Sequence, residues 1–214
     1  MVLCGLPRTG KTTAARYLAT TAHATVLATD DVRRQLFKEC SMQELLRADD
    51  PMRYDIQRLF DPLPTIPDKY QQLIWKQNAM TYEEMVRKIP SFLSRGNTIL
   101  DGSFSRKSVR ERAYSIARSM GHRPYLVYCV CAESVVRRRL ERTNVSTDDS
   151  SNVVTFDVYI KVKERFEVPL KDDVTVFTYD SGTNSAAVRN EHLGAETEMA
   201  AIDKGLRSIV VRRT

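Results

Sequence analysis

The residues with the clearest chemical capability are those of GLPRTGKT, from Gly5 to Thr12. A glycine, four residues and then Gly, Lys and Thr is the spacing of a phosphate-binding loop, whose backbone N–H groups point inward around the phosphates. Lys11 is predicted to neutralise the terminal phosphates, and the Thr12 hydroxyl to bind Mg²⁺. The candidate nucleotide contacts are Gly5, Leu6, Pro7, Arg8, Thr9, Gly10, Lys11, Thr12 and Thr13, the last expected mainly to pack or cap.

The residues on either side of this loop have the pattern of a strand and a helix. The apolar run MVLC precedes it and KTTAARYLAT follows it, so the positive end of a helix dipole would face the phosphates. This strand–loop–helix context distinguishes a phosphate loop from an accidental match. The first strand is short for a central strand, and a truncated N-terminus is one explanation.

The segment TDDVRRQLF supplies a candidate general base at the end of the second predicted strand. Open α/β sheets place active-site groups there, so Asp30 is predicted to orient and deprotonate an acceptor hydroxyl. Asp31 is predicted to cap the following helix, and a capping role for Asp30 is the alternative. Arg33, one turn on, is predicted to hold a phosphate or carboxylate of the acceptor, with a solvated helix arginine as its alternative.

A second acidic position closes the third predicted strand, TILDGS. Asp101 is predicted to hold Mg²⁺ or its water, although Gly102 beside it also fits a simple turn. Three residues that follow, Ser103, Phe104 and Arg106, are predicted to line the acceptor pocket.

Basic residues crowd the helix pattern ESVVRRRLERT. Arg138 and Arg142 are four residues apart, hence on one face, beside the polar stretch TNVSTDDSSN, which has the composition of a mobile lid tip. Arginines in a lid stabilise charge on a transferring phosphoryl group, and we expect at least one of Arg138, Arg139 and Arg142 to do so. A solvated basic face is the alternative for each.

The elements that must position these groups alternate between strand and helix patterns. Strands are predicted at 1–4, 25–28, 98–100, 125–130 and 174–178. Helices are predicted at 11–20, 31–37, 70–94, 107–119, 132–142, 152–166 and 196–208. The alternation predicts an α/β three-layer sandwich with a five-stranded parallel sheet and a helical lid.

Length and composition favour one domain over residues 1–214, with an acceptor-side insertion around 38–95 and a lid around 133–152. The stretch 49–68 is rich in Pro and Asp and is predicted to be too interrupted for a regular element. No apolar run is long enough to span a bilayer, and the four cysteines look like reduced core thiols, so a cytoplasmic protein without a membrane partner is expected. A net charge of +6 favours polyanionic partners.

Together, GLPRTGKT, TDDVRRQLF, LDGSFSRKSVR, and RRRLER with KERFEVP resemble the P-loop kinase family that contains polynucleotide kinases, zeta-toxin-like enzymes and predicted ATP-binding kinases. The resemblance covers residues 5–169. It implies transfer of the γ-phosphoryl group of Mg·ATP to a hydroxyl, with Lys11, Thr12, Asp30 and Asp101 in the roles given above. It also places Arg33 in the acceptor site and Arg138 and Arg142 in the lid. The Pro-Arg-Thr in the phosphate loop departs from the small residues usual in that family.

The sequence leaves alternatives open for the activity, the acceptor and the oligomeric state. A guanine-nucleotide enzyme is disfavoured because no Asn-Lys-x-Asp element occurs, whereas a non-catalytic or regulatory ATP-binding protein is not excluded. The acceptor is either a small molecule or a nucleic-acid 5′-hydroxyl, and the oligomeric state is undetermined. An aromatic and basic stretch fits either a base-stacking platform or a helix core: Tyr70, Trp75, Lys76, Tyr82, Arg87 and Lys88.

Overall fold

Strands of the central sheet alternate with helices along the chain. The computed structural model describes residues 1–60, 66–143, 156–189, 202, 204 and 206. Within these residues the strands are β1 (Val2–Cys4), β2 (Thr25–Ala28), β3 (Thr98–Asp101), β4 (Tyr125–Val130), β5 (Thr175–Asp180) and β6 (Ser185–Arg189). The helices are α1 (Lys11–Thr21), α2 (Thr29–Leu36), α3 (Met42–Arg47), α4 (Ile56–Phe60), α5 (Asp68–Leu93), α6 (Lys107–Ser119), α7 (Glu133–Thr143) and α8 (Phe156–Glu164), with 3₁₀ turns at Pro51–Arg53 and Pro169–Lys171.

The order of the strands in the sheet is β2-β3-β1-β4-β5-β6. The short strand β1 is central, because Val2 pairs with Leu100 on one side and Leu126 on the other, both in parallel register. All three residues of β1 are buried. The chain leaves β1 toward β2 on one side and later returns to β4 on the other, which opens a crevice at the carboxyl ends of the strands.

The sixth strand corrects the prediction of five parallel strands. β6 pairs antiparallel with β5, Asp180 opposite Ser185, across the turn 181–184. The Asp180 Oδ1 atom accepts hydrogen bonds from the backbone N–H groups of Gly182, at 2.7 Å, and Thr183, at 3.3 Å. The sequence SAAVR contains a single β-branched residue, so its strand conformation depends on pairing with β5 and leaves little local signal.

Alternation of side chains along the strands produces two apolar layers, as predicted for a three-layer sandwich. Val2 and Leu100 face a core that includes Met85 and Ile89 of α5 and Ala113 of α6. Leu3, Ile99 and Val127 face a second core with Ala14, Ala15 and Leu18 of α1. Ile202 and Leu206 also pack in this second core, and the three described residues of the helix predicted at 196–208 are helical.

The segment predicted to be an acceptor-side insertion contains short helical elements that were not predicted. The first 3₁₀ turn and α4 lie within 49–68, where no regular element was expected, and α3 precedes that stretch. Ser41 and Glu44 form a capping box at the start of α3, and the Asp50 carboxylate accepts from the Met52 N–H at the first 3₁₀ turn. These helices form a small core with α5 through Leu45, Ile56, Tyr70 and Ile74. Side-chain caps stabilised helices too short for periodicity to detect.

Helix α7 covers the described part of the lid predicted around 133–152, and α8 packs against it. Val136 and Leu140 of α7 pack against Tyr159 of α8. The predicted lid tip, 144–152, falls outside the described residues, as do the first residues of the helix predicted at 152–166. Among the described helices, none is both long and apolar enough to cross a membrane.

Candidate active site

The segment between β1 and α1 folds as a loop that is stabilised by its own hydrogen bonds. The Leu6 carbonyl accepts hydrogen bonds from Thr9 Oγ1 at 2.7 Å and from Lys11 Nζ at 2.8 Å. Gly10 has a φ of 85°, a left-handed conformation that favours glycine, immediately before the helix. A Cβ on Gly5 would lie 2.3 Å from the Cys129 carbonyl oxygen, so no side chain fits there. The predicted loop therefore needs its first and sixth residues to be glycine.

The end of β3 brings Asp101 to the start of α1. Its buried carboxylate accepts a hydrogen bond from the Thr12 side chain. Burial raises the pKa of Asp101, while the charge of Lys11 and the Thr12 hydrogen bond act in the opposite direction. Burial likewise lowers the pKa of Lys11, opposed by the carboxylates of Asp101 and Asp30. Lys11, Thr12, Asp30 and Asp101, which the sequence predicted to act together, thus lie within electrostatic reach of one another.

The donors in this cluster suit Mg²⁺. Thr12 offers a hydroxyl and Asp101 a carboxylate, both hard oxygen ligands. In the described part of the chain no group of three or more His, Cys, Asp and Glu side chains is placed to hold a metal. Mg²⁺ fits such a sparse site because it keeps several waters and takes its remaining ligands from substrate phosphates.

Asp30 lies in the first turn of α2, which begins directly after β2. Its Oδ1 atom is 3.2 Å from Arg33 Nη2, and Arg33 Nε donates to Asp55 Oδ2 at 3.1 Å. Arg33 and Asp55 are buried, so the alternative of a solvated Arg33 is wrong. Arg33 joins α2 to the insertion through this ion pair. The predicted cap is also wrong: no side chain caps α2, and Asp31 pairs with Arg34 instead.

The loop after β3 lies against the phosphate loop, since the Gly5 N–H donates to the Ser103 carbonyl at 3.2 Å. Phe104 has a φ of 43° and its N–H donates to the Tyr82 hydroxyl at 2.9 Å. Phe104 is buried and therefore cannot line an open pocket as predicted; its ring packs edge-on against Tyr82. Arg106 forms an ion pair of 3.1 Å with Glu167. Ser103 remains partly exposed beside Gly5.

Among the arginines of α7 whose side chains the structure describes, Arg139 reaches the phosphate loop. Its Nη1 atom donates to the Arg8 carbonyl at 2.7 Å and to Ser181 Oγ at 2.9 Å, and its Nη2 atom donates to the Ser181 carbonyl at 3.0 Å. Arg138 is exposed, and the side chain of Arg142 is outside the described part of the chain. Sequence spacing gave no signal that favoured Arg139 over its neighbours, because the packing of Val136 and Leu140 against α8 decides which face of α7 meets the loop.

A glycine loop between the central strand and its helix, a buried aspartate closing the adjacent strand, and this strand order define a P-loop kinase-like fold. The chain belongs to the AAA domain family, whose profile matches residues 1–169. A search of the curated proteins gave no significant match.

Solved structures show the same fold. A gluconokinase from Sinorhizobium meliloti superposes with a TM-score of 0.51 at 16% identity, over 99% of this chain and 93% of the other. Kti12 from Chaetomium thermophilum, in complex with ADP-AlF3, superposes with a TM-score of 0.51 at 16% identity, over 98% of this chain and 96% of the other. At these identities the similarity establishes the fold alone.

Proposed function

We propose that this protein is an ATP-dependent kinase that transfers the γ-phosphoryl group of Mg·ATP to a hydroxyl acceptor. The observation that carries the proposal is the electrostatic cluster of Lys11, Asp101 and Asp30 at the carboxyl ends of adjacent strands, with Thr12 bonded to Asp101. Phosphoryl transfer requires positioning and charge stabilisation more than covalent chemistry. In this cluster Lys11 would supply a cation, and Thr12 and Asp101 would bind magnesium. Asp30 would supply a separate carboxylate.

Each group would have a distinct task. Thr12 and Asp101 would hold Mg²⁺, which supplies neutralisation of the β- and γ-phosphate charges. Lys11, aligned by the Leu6 carbonyl, would bind the terminal phosphates. Asp30 would orient the acceptor hydroxyl and accept its proton as the new O–P bond forms and the bond from the γ-phosphorus to the β,γ-bridging oxygen breaks, which releases ADP.

The arginines of α7 would complete the site. Arg139 already bonds the backbone of the phosphate loop, so it would hold the loop in the shape that phosphates require. The roles given to Arg138 and Arg142 in stabilising the transferring group remain predictions. Arg33, held between Asp30 and Asp55, would position Asp30 in addition to the acceptor-binding role predicted for it.

A regulatory ATP-binding protein is the second candidate. The Lys11 amine is bonded to a carbonyl of its own loop, and the fold is also that of Kti12, whose structure is a complex with ADP-AlF3. This candidate shares the nucleotide-binding half of the site with the kinase proposal. It differs in requiring no transfer to an acceptor.

Transfer of labelled γ-phosphate from Mg·ATP tests the proposal, with a 5′-hydroxyl oligonucleotide and a mixed pool of small hydroxyl compounds offered in parallel. We expect label on one of them with the native protein and none with Lys11→Ala. Nucleotide binding without label on either would support the regulatory candidate. Label that persists in Lys11→Ala would show that the phosphate loop has been misassigned.

A further inference from the structure

Trp75 is the one tryptophan of the chain, and 50% of its surface is exposed on α5. The rest of the aromatic and basic stretch does not form a platform: Tyr70 is buried in the insertion core, and the Tyr82 hydroxyl is bonded to the Phe104 backbone. An indole has a large π-surface, and half of this one is accessible to a planar ligand. The stacking capacity predicted for this stretch is therefore concentrated in one indole.

Arg165 covers one face of that indole. The guanidinium carbon lies 3.6 Å from the ring centroid, within the range of a cation–π contact. The contact fixes the orientation of the indole, while half of the side chain stays accessible. When a guanidinium stacks on one face of an aromatic ring, a second flat group can stack on the opposite face.

Helical spacing relates Trp75 to the part of α5 that approaches the loop after β3. Trp75 and Tyr82 are seven residues apart in α5, hence on the same face and about 10 Å apart along the axis. A Cβ built on Gly102 would lie 3.1 Å from the Tyr82 hydroxyl and 2.7 Å from Cγ2 of Thr29, the neighbour of Asp30. Two turns along α5 from Trp75, the same helix face therefore packs beside the residue that precedes Asp30.

The segment that carries Arg165 forms the neighbouring wall. Phe166 stacks on Tyr128 with ring centroids 5.9 Å apart. The Glu167 N–H donates to the Ser105 carbonyl at 2.9 Å, and the Glu167 carboxylate accepts from the Lys107 N–H at 2.5 Å. Trp75 therefore faces a segment anchored to the loop that follows Asp101.

We propose that the acceptor carries a planar ring that stacks on the open face of Trp75 while its hydroxyl reaches Asp30. This inference rests on the proposed function and specifies its substrate class: a base-bearing hydroxyl compound, either a nucleoside or the 5′-hydroxyl end of a single strand. Stacking on an aromatic side chain tolerates any base, because every base has a π-face. Ring-free polyols have no group that uses this surface.

Tryptophan emission tests the inference directly, because Trp75 is its sole source. The full chain is first saturated with a non-hydrolysable Mg·ATP analogue, so that the donor site is filled. Cytidine, a 5′-hydroxyl tetranucleotide and gluconate are then titrated separately, with excitation where the bases do not absorb. We expect saturable quenching by cytidine or the tetranucleotide and none by gluconate; the stronger of the two binders identifies the source of the ring.

Calorimetric titration of variants supplies the second measurement. Trp75→Leu should weaken binding of the tetranucleotide or nucleoside by about 5- to 100-fold, the range for loss of one base stack, and Trp75→Phe should recover part of it. Met80→Leu, at another exposed position of α5, is the matched control and should bind normally. Equal affinities in Trp75→Leu and Met80→Leu, or unchanged emission with every base-bearing probe, would overturn the inference.

The two proposals fail in different ways. If a base-bearing probe quenches the emission but receives no phosphate from the native protein, the ring site is supported and the kinase proposal is contradicted. Lys11-dependent transfer to a ring-free hydroxyl compound, without quenching by base-bearing probes, would leave the kinase standing and refute the ring site.

Discussion

The guanidinium of Arg139 lies 2.7 Å from the carbonyl oxygen of Arg8, so that a side chain of α7 holds the middle of the phosphate loop. A hydrogen bond from a charged group contributes about 1.5–3 kcal/mol. We therefore expect Arg139→Met to weaken Mg·ATP binding by roughly 10- to 100-fold in calorimetric titration. Arg137, which is exposed and lies over the Phe156 ring, provides the control, and Arg137→Met should bind Mg·ATP normally. Equal losses in the two variants would mean that Arg139 has no special part in shaping the loop.

Asp30 and Asp31 form a matched pair for testing the base. In the proposed reaction Asp30→Asn removes the proton acceptor, so kcat for phosphoryl transfer should fall by about 10²- to 10⁴-fold while ATP affinity stays near native. Asp31 pairs with Arg34 on the exposed side of α2, and Asp31→Asn should transfer normally. Steady-state kinetics with the acceptor identified by labelling provides the comparison. Normal turnover in Asp30→Asn would remove Asp30 from the mechanism.

Asp101 should titrate at a higher pH than an ordinary aspartate, because burial raises its pKa. The folded state then holds the proton more tightly than the unfolded state does. The residue's contribution to stability is therefore present below the unfolded pKa of about 3.9 and is lost as pH rises through the folded pKa. Carboxyl carbon-13 NMR measures the midpoint, with Asp101→Asn to assign the resonance.

Thr12→Ala should move that midpoint further upward, because the hydrogen bond from Thr12 lowers the pKa of Asp101. Thr13→Ala should leave the midpoint where it is. A midpoint at or below the ordinary aspartate value in the native protein would contradict the buried position of Asp101.

Two consecutive aspartates differ sharply in their expected effect on stability. Asp172 accepts from Arg110 at 2.6 and 3.0 Å and from Tyr114 at 2.9 Å, and all three side chains are buried. Asp172→Ala leaves the buried guanidinium of Arg110 without its carboxylate partner. This should lower the free energy of unfolding by about 3–5 kcal/mol in urea titration. Asp173 is 81% exposed beside Arg118, and Asp173→Ala should change it by no more than about 0.5 kcal/mol. Similar midpoints for the two variants would contradict this prediction.

Thiol labelling should separate the cysteines by their environment. Burial raises the pKa of Cys4 to about 12 and also raises that of Cys129, so neither should react in the folded protein. Cys40 and Cys131 are partly exposed and should be alkylated first, as read by mass spectrometry. Cys131 Sγ lies 3.9 Å from the Arg8 carbonyl, so Mg·ATP should slow its labelling and leave Cys40 unaffected. All four should react in urea, and early labelling of Cys4 would contradict the assignment.

Features encoded by local spacing were predictable from the sequence. The phosphate loop, the five parallel strands and the acidic ends of β2 and β3 each have a short-range pattern of glycines, apolar runs or terminal aspartates. Boundaries of β2, β4 and α6 agree with the prediction to the residue. In these segments local preference and global packing favour the same conformation.

Features that depend on long-range partners were not predictable. Arg33 and Asp55 are 22 residues apart, and no local pattern joins them. Arg138 and Arg142 were predicted to act on the phosphates because they lie on one face of a helix. Their spacing does not tell which face of α7 meets the phosphate loop. That choice is made by Val136 and Leu140, which pack toward α8 and set the rotation of α7 with Arg139. β6 likewise depends on its pairing with β5.

The ion pair between Arg33 and Asp55 joins two regions with different tasks in the proposed reaction. Asp55 belongs to the segment predicted to be an acceptor-side insertion, and the same guanidinium lies 3.2 Å from Asp30. A displacement of the insertion that moves Asp55 must carry Arg33 and, with it, the candidate base. In the proposed reaction, an acceptor that displaces the insertion on entry would therefore also realign Asp30, whereas a compound that binds without displacing the insertion would leave Asp30 where it is.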